Sequence, residues 1–327
     1  MKDTMALDPQ VQALLDFIGI NNLAPLETQT PREARARFEA LAEARRQVAP
    51  EPVRQIRDMS IPGPGGNIPI RIYSPESDSP SPALIYFHGG GWVLGDLESH
   101  DHVCRALANS VPCTVISVDY RLAPEHKFPA AVDDSYAATE WIVAHAGDLG
   151  IDAARIAVGG DSAGGNLAAI VSQIARDRRG PNIVFQLLIY PATDMGMGLP
   201  SMDENADGPI LTKAAMLWFM NHYLSGEQDR TNPLASPLLA ADLTGLPPAL
   251  IITAQCDPLR DEGEAYARRL KEAGVSAEVQ EYEGMPHGFF SFLAALDGGR
   301  RAFAEATNRL QSTFGLADAS LSADSSA

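Results

Sequence analysis

A serine between glycines is the clearest candidate for chemistry in this sequence. The chain reads Gly160-Asp161-Ser162-Ala163-Gly164, with one glycine between this motif and the apolar run Ile156–Val158 and a helix-like segment directly after it. A serine on such a sharp strand-to-helix turn is held in a strained conformation, and side chains two residues away on either side would collide. The start of the helix adds free N–H groups and a positive dipole beside the serine oxygen. This placement favours a nucleophile over the alternative of a tight glycine turn.

Three consecutive glycines lie upstream of this serine and follow another apolar run. After Ala83–Phe87 the sequence continues His88-Gly89-Gly90-Gly91-Trp92. Glycines leave backbone N–H groups unobstructed, so these groups can point at an oxygen that becomes negative during a reaction. A flexible turn is the alternative, but acyl transfer needs both a nucleophile and such donors. We therefore expect the N–H groups of Gly90, Gly91 and Ala163 to form an oxyanion hole.

Several segments of the chain together carry a resemblance to a known family. They are His88–Trp92, Asp119–Glu125, Phe128–Ala131, Gly160–Gly165 and Asp257–Gly263. From about Ile68 to about Leu310 the chain resembles the bacterial hormone-sensitive lipase family of α/β-hydrolase carboxylesterases, in the branch whose elbow reads Gly-Asp-Ser-Ala-Gly. The resemblance implies an α/β-hydrolase fold with a mostly parallel eight-stranded sheet. It also implies a serine carboxylesterase that needs no cofactor and acts on short- to medium-chain acyl esters.

The order of residues along the chain then selects partners for Ser162. In an α/β-hydrolase the acid and then the histidine follow the nucleophile. Five of the seven histidines precede Ser162 and a sixth, His222, lies in an insertion, so His287 is the expected base. Asp257 directly follows the strand-like segment Ala249–Cys256. Its place in the strand order and the family resemblance make it the expected acid, with Asp194 as its rival.

Two further acidic residues lie close to Asp257 in the sequence. Asp261 and Glu262 follow it by only a few positions. We expect these two residues to begin a helix and to face solvent, which disfavours them as the acid.

Short apolar runs alternate with helical stretches over most of the chain. Runs that are apolar throughout indicate strands of a mainly parallel sheet that is covered on both faces. Ile68–Tyr73 instead alternates between apolar and polar residues and follows a turn at Gly63–Asn67. The remaining predicted strands are Ala83–Phe87, Thr114–Val118, Ile156–Val158, Phe185–Tyr190, Ala249–Ala254 and Ala277–Tyr282.

Two segments do not fit this alternation and are expected to form a helical cap over one edge of the sheet. Residues 1–50 carry two helix-start signals, Asp8-Pro9 and the capping box of Thr30 and Glu33. Residues 194–239 interrupt the core, which would comprise residues 51–193 and 240–316, and include the apolar helix-like run Lys213–Leu224. We expect Trp92, Leu211 and Met216 to contact the substrate. The small, polar tail, residues 317–327, is predicted to be disordered.

Composition and charge exclude several classes of function. The 327 residues include 25 Lys and Arg against 42 Asp and Glu, which gives a net charge of −17. Such a chain repels phosphate backbones and anionic lipid, so we expect neither nucleic-acid nor membrane-surface binding. The longest apolar runs are far shorter than the roughly 20 residues that a membrane span requires.

Metal ions and disulfide bonds are not expected either. The segment Glu98–His102 contains two histidines but lacks metal-site spacing, and we expect its side chains to form structural hydrogen bonds. Three cysteines without a Cys-x-x-Cys motif argue against a disulfide framework, and Cys256 is expected to be a small buried side chain. The polar start of the chain has no signal core, and the sequence therefore predicts a reduced, cytoplasmic protein.

Two other functions remain open alongside the esterase. A serine peptidase or amidase would use the same three residues. A non-catalytic receptor for a small molecule is disfavoured, because plant hormone receptors of the family lack the histidine that this chain has at His287. The oligomeric state is also open, although the relatives often form dimers through the last strand.

Overall fold

A single twisted sheet of eight strands forms the centre of the computed structural model, which describes residues 7–19, 23–46, 50–75 and 79–316. The order across the sheet is β1-β2-β4-β3-β5-β6-β7-β8. Strands β3 to β8 pair in parallel, while β1–β2 and β2–β4 pair antiparallel. The strands are β1 (Gln55–Gly63), β2 (Gly66–Ser74), β3 (Ser81–Phe87), β4 (Thr114–Val118), β5 (Ile151–Asp161), β6 (Ile183–Ile189), β7 (Ala249–Cys256) and β8 (Ala277–Pro286).

This topology confirms the predicted α/β-hydrolase sheet. It also contains one strand that the sequence pattern did not predict. Every residue of β3 and of β4 is buried, as expected for central strands covered on both faces. The additional strand is β1, which pairs with β2 at the sheet edge through a tight connection after Gly63. Only Ile61 of β1 is buried, so neither an apolar run nor an apolar face marks it in the sequence.

Helices cover both faces of the sheet. Side chains of α3 and α10 join the apolar cluster on one face, and side chains of α4, α6 and α9 join the cluster on the other. The helices are α1 (Pro9–Ile18), α2 (Pro31–Arg46), α3 (Asp101–Ser110), α4 (Ala130–Ala144), α5 (Ala146–Leu149), α6 (Ala163–Arg178), α7 (Pro200–Glu204), α8 (Lys213–Tyr223), α9 (Arg260–Glu272) and α10 (Asp297–Thr313). None of the described helices combines the length and apolar character needed to cross a membrane.

Both predicted helix starts near the N-terminus are confirmed. The Asp8 carboxylate accepts a hydrogen bond of 2.7 Å from the Gln10 N–H at the start of α1. At the start of α2, the Thr30 N–H donates to the Glu33 carboxylate at 2.8 Å, and the Glu33 N–H donates back to the Thr30 hydroxyl at 3.3 Å. The Thr30 hydroxyl also donates to the Glu33 carboxylate at 2.8 Å. The bonds from the Thr30 N–H and hydroxyl lower the pKa of Glu33, since they favour its charged form.

Helices α2 and α8 lie together over the carboxyl edge of the parallel strands. The Trp218 indole on α8 donates a hydrogen bond of 3.1 Å to the Gln29 carbonyl, directly before α2. Helix α8 begins where the Thr212 hydroxyl accepts from the Ala215 N–H, and its apolar face packs into the core below. The predicted disordered tail lies outside the described residues.

Candidate active site

The turn between β5 and α6 presents Ser162 at the edge of the sheet. Ser162 has φ 56° and ψ −117°, a strained conformation for a residue with a side chain. Its own N–H donates to the Ile189 carbonyl at 2.8 Å, which fixes the turn against β6. A Cβ atom at Gly160 or at Gly164 would collide with the Phe87 carbonyl oxygen. The steric reason for glycine at both positions is therefore confirmed.

The structure brings Ser162, His287 and Asp257 into one line, although the chain separates them widely. His287 follows β8, and its Nε2 lies 2.9 Å from Ser162 Oγ. Its Nδ1 lies 2.7 Å from Asp257 Oδ2. Asp257 follows β7, is fully buried, and accepts a second hydrogen bond of 2.9 Å from the Leu259 N–H. Such an arrangement can pass the serine proton to imidazole and stabilise the resulting imidazolium.

The carboxylate of Asp194, the alternative candidate for the acid, is held by a contact within its own segment. Asp194 accepts a hydrogen bond of 2.8 Å from the Gly196 N–H within its own turn. Its backbone N–H is held by Glu262, at 3.1 Å from a carboxylate oxygen, and the N–H of Thr193 donates to the same oxygen at 2.8 Å. Glu262 thus anchors the segment that follows β6.

The prediction that Asp261 and Glu262 face solvent is wrong. Both lie in the first turn of α9, as expected, but Glu262 is only 1% exposed and burial raises its pKa well above the ordinary value. Asp261 accepts hydrogen bonds from the Ser201 N–H and from Arg260, each at 2.8 Å. The segment after β6 folds back over α9, and this long-range contact has no local signal in the sequence.

The glycine loop after β3 leaves backbone donors free beside Ser162. Gly90, Gly91 and Trp92 have φ values of 121°, 60° and 59°, so three consecutive residues adopt the left-handed region. Within the part of the chain that is described, the N–H groups of Gly90, Gly91 and Ala163 donate no hydrogen bond to protein. Ala163 is also the first residue of α6, where N–H groups have no partner inside the helix.

Asp161 anchors this loop. No local pattern in the sequence predicts this role. Its side chain is only 7% exposed, and one carboxylate oxygen accepts the Gly89 N–H at 3.0 Å and the Tyr86 hydroxyl at 2.8 Å. His100 Nε2 lies 3.3 Å from the same oxygen. Burial alone would raise the pKa of Asp161, but the charge of His100 and these hydrogen bonds lower it to about 2. Strand β5, which ends one residue before Ser162, therefore also holds the glycine loop.

Two side chains of helix α8 rest on the same loop from the other side. A Cβ atom at Gly91 would collide with the Phe219 ring, so the helix approaches the backbone closely. The Tyr223 ring stacks on Trp92 at 4.4 Å between centroids and 6° between planes. The glycine loop is thus held between β5 and the helix above it.

His88, at the start of the glycine loop, is fully buried and stacks on Tyr120 with ring centroids 4.3 Å apart. Its Nδ1 lies 2.8 Å from the Gly89 carbonyl oxygen, and the Tyr120 hydroxyl donates to the His88 carbonyl at 2.7 Å. Burial, helped by the charge of His100, lowers the pKa of His88 to about 4 from an ordinary value of 6.5. This imidazole is therefore neutral in the folded protein at neutral pH.

We expect this neutral histidine to make the fold sensitive to acid. Between pH 6.5 and pH 4 the unfolded chain binds a proton at His88 that the folded protein does not, so the free energy of unfolding falls as the pH falls. The shift corresponds to a loss on the order of 3 kcal/mol. Urea unfolding of the wild type and of His88→Asn, at pH 7 and at pH 4, measures it. Equal losses in the two proteins would contradict the assignment.

A cavity of about 240 Å³ opens above Ser162. Trp92, Leu211 and Met216, the three predicted substrate contacts, all line it. The cap contributes further apolar side chains to the wall: Ile18, Leu26, Phe38, Leu41, Ile210 and Phe219. The cavity wall is mostly apolar and suits the carbon chain of a small organic molecule.

The histidines near the glycine loop make structural contacts. Ser99 Oγ lies 2.9 Å from His100 Nδ1, and His100 also faces Asp161. Among the described residues, no group of three or more His, Cys, Asp or Glu side chains is arranged to hold a metal ion. Cys256 is buried, and burial raises the pKa of its thiol, which agrees with the predicted packing role.

Comparisons with known proteins agree with this geometry. A protein family whose description is the alpha/beta hydrolase fold matches residues 84–291 of the chain. Carboxylic ester hydrolase LipN of Mycobacterium tuberculosis is 45% identical over 92% of this chain and 81% of its own length. Carboxylesterase NlhH of the same organism is 44% identical over 93% of both chains.

A solved structure, the hyperthermophilic esterase from the archaeon Pyrobaculum calidifontis, is 46% identical and superposes with a TM-score of 0.90. The match covers 94% of this chain and 99% of that one. Two curated relatives at this level of identity, together with the matching fold, establish the family. The chain belongs to the hormone-sensitive-lipase-like family of α/β-hydrolases and is a carboxylic ester hydrolase.

Proposed function

We propose that this hydrolase uses Ser162 as nucleophile, His287 as base and Asp257 as the acid that orients the base. The observation that carries the proposal is the unbroken row of contacts, 2.9 Å from Ser162 Oγ to His287 Nε2 and 2.7 Å from His287 Nδ1 to Asp257. The strained turn at Ser162 and the free N–H groups beside it supply the other two requirements of acyl transfer.

The proposed reaction has two halves. Ser162 Oγ attacks the ester carbonyl carbon while His287 Nε2 takes the hydroxyl proton, and the N–H groups of Gly90, Gly91 and Ala163 bind the oxyanion. His287 then returns the proton to the alcohol oxygen as the bond from carbon to that oxygen breaks, which leaves an acyl-serine. Water attacks the acyl-serine by the same route and releases the carboxylic acid.

The proposed substrates are short- to medium-chain acyl esters. A cavity of about 240 Å³ lies just below the roughly 300–1,000 Å³ of sites for drug-sized ligands. Its apolar wall, which includes Trp92, Leu211 and Met216, supports binding of a short hydrocarbon chain in preference to a long one. These three side chains are proposed to contact the substrate.

A series of p-nitrophenyl esters with acyl chains of increasing length tests this proposal. We expect kcat/KM to be greatest for short or medium chains and to fall for long ones, because a long chain cannot be enclosed. A matched p-nitroanilide, which the same three residues could attack in a peptidase or amidase, should react far more slowly. Long esters as the best substrates, or anilide hydrolysis equal to ester hydrolysis, would contradict the proposal.

Two finer expectations belong with the proposal. A cytoplasmic location rests on the reduced, buried cysteines Cys104, Cys113 and Cys256. Homodimer formation rests on the position of β8 at the edge of the sheet, where it is the last strand in the order.

A further inference from the structure

One arginine in the wall of the cavity has no acidic partner in the described part of the chain. Arg37 lies on α2, and it lines the cavity above Ser162 together with Ala34, Phe38 and Leu41 from the same helix. One of its guanidinium nitrogens donates to the Ala24 carbonyl at 2.9 Å. No carboxylate of the described residues forms an ion pair with it, whereas Arg35, two positions earlier, pairs with Glu125 at 2.7 Å.

The other ionisable side chains of the cavity wall contact partners within the site. His100 faces Asp161 at 3.3 Å, and His287 lies between Asp257 and Ser162. No lysine and no glutamate line the cavity within the described part of the chain. Among the described residues of the wall, Arg37 is therefore the one permanently charged cation, and none of the described carboxylates pairs with it.

This lack of a partner is unusual for the composition of the chain. With 42 acidic and 25 basic residues, acidic partners for an arginine are abundant. Arg37 is half-buried, and its partial burial lowers the pKa of the guanidinium, so the charge is held at a desolvation cost without a compensating carboxylate. The guanidinium has five N–H donors in a planar fork that fits a carboxylate. Within the described residues, its only hydrogen bond to a protein oxygen is the one to the Ala24 carbonyl.

We infer that Arg37 is a specificity-determining residue that binds an anionic group of the substrate, and that the enzyme favours half-esters of dicarboxylic acids. The inference rests on the proposed function, since it concerns the same cavity. The free carboxylate would pair with Arg37 while the ester group at the other end of the chain lies at Ser162. Water then converts the half-ester into the dicarboxylate, the alcohol and one proton, and no further reactant is needed.

Matched substrates and matched variants test this inference. The substrates are mono-p-nitrophenyl esters of glutaric, adipic and suberic acid, each paired with the neutral ester of the same chain length. The variants are Arg37→Met, Arg37→Gln and Arg37→Lys. Arg32→Met is the control, because Arg32 lies exposed on α2, does not line the cavity, and its replacement removes the same charge from the same helix.

We expect the wild type to prefer the half-ester to its neutral partner for at least one chain length. Arg37→Met and Arg37→Gln should lower the ratio of the two kcat/KM values about tenfold, mainly through the KM of the half-ester. Arg37→Lys should retain part of the preference, and Arg32→Met should leave the ratio unchanged. Added salt should weaken the preference in the wild type.

Three results would overturn the inference. They are a wild type that discriminates against every half-ester, a ratio that Arg37→Met and Arg37→Gln leave unchanged, and an equal fall of the ratio in Arg32→Met. The same experiment also measures the hydrolysis of the neutral esters by the wild type. Because that activity reports the proposed esterase function alone, failure of the inference can be told apart from failure of the function.

Discussion

Replacement of Ser162 by alanine is expected to lower kcat for a p-nitrophenyl ester by about 10⁴-fold or more, because it removes the proposed nucleophile that forms the acyl-enzyme. His287→Ala should have an effect of similar size, because Ser162 Oγ, at 2.9 Å from the imidazole, would lose its proposed base. The two losses should not add in the double variant, as the residues act as one unit. Steady-state kinetics on the three variants measure these effects.

Two controls separate loss of chemistry from loss of folding. Circular dichroism and thermal unfolding should be nearly unchanged in Ser162→Ala, because removal of one hydroxyl leaves the turn and its hydrogen bond to Ile189 intact. A fluorophosphonate should label the wild type at Ser162 and fail to label the alanine variant. A folded Ser162→Ala protein with substantial turnover would contradict the proposed role of Ser162. A wild type that the fluorophosphonate does not label would favour the alternative of a non-catalytic receptor.

Replacement of Asp257 by asparagine is expected to lower kcat about 10⁴-fold. The carboxylate lies 2.7 Å from His287 Nδ1 and holds the proton on that nitrogen, which leaves Nε2 free to accept the serine proton. An asparagine amide can donate to Nδ1 instead and so favour the wrong tautomer. Steady-state kinetics measure this loss in kcat, and we expect the KM to stay close to that of the wild type.

Asp194→Asn is the matched control, since it makes the same chemical change on the rival residue. Asparagine can still accept the hydrogen bond from the Gly196 N–H, which is the local contact that Asp194 makes. We expect its kcat to stay within a few-fold of the wild-type value. A far greater loss in Asp194→Asn than in Asp257→Asn would show that the acid has been assigned wrongly.

Much of the fold could be predicted because its central strands are buried on both faces. Strands such as β3 and β4 appear in the sequence as continuous apolar runs, and the long helical segments between them indicate parallel pairing. The edge strand β1 could not be found in this way. It is mostly exposed, and its pairing with β2 is fixed by a hairpin connection rather than by burial.

The candidate site shows the same division between local and long-range information. Motif spacing and chain order selected Ser162, His287 and Asp257, and the structure brings these side chains together. The roles of Asp161 and Glu262 depend on which backbone N–H groups another segment presents to them. Such contacts arise from the packing of loops that are distant in the chain, so the sequence offered no signal for Asp161 and a misleading one for Glu262.

The contact of helix α8 with the glycine loop limits how this enzyme can be redesigned. Phe219 lines the cavity and also rests on Gly91, so its ring belongs both to the substrate space and to the support of the backbone donors. Truncation of this ring to admit bulkier esters would create room and loosen Gly91 at the same time. Directed evolution towards larger substrates should therefore start from Leu211 or Met216 on the cavity wall.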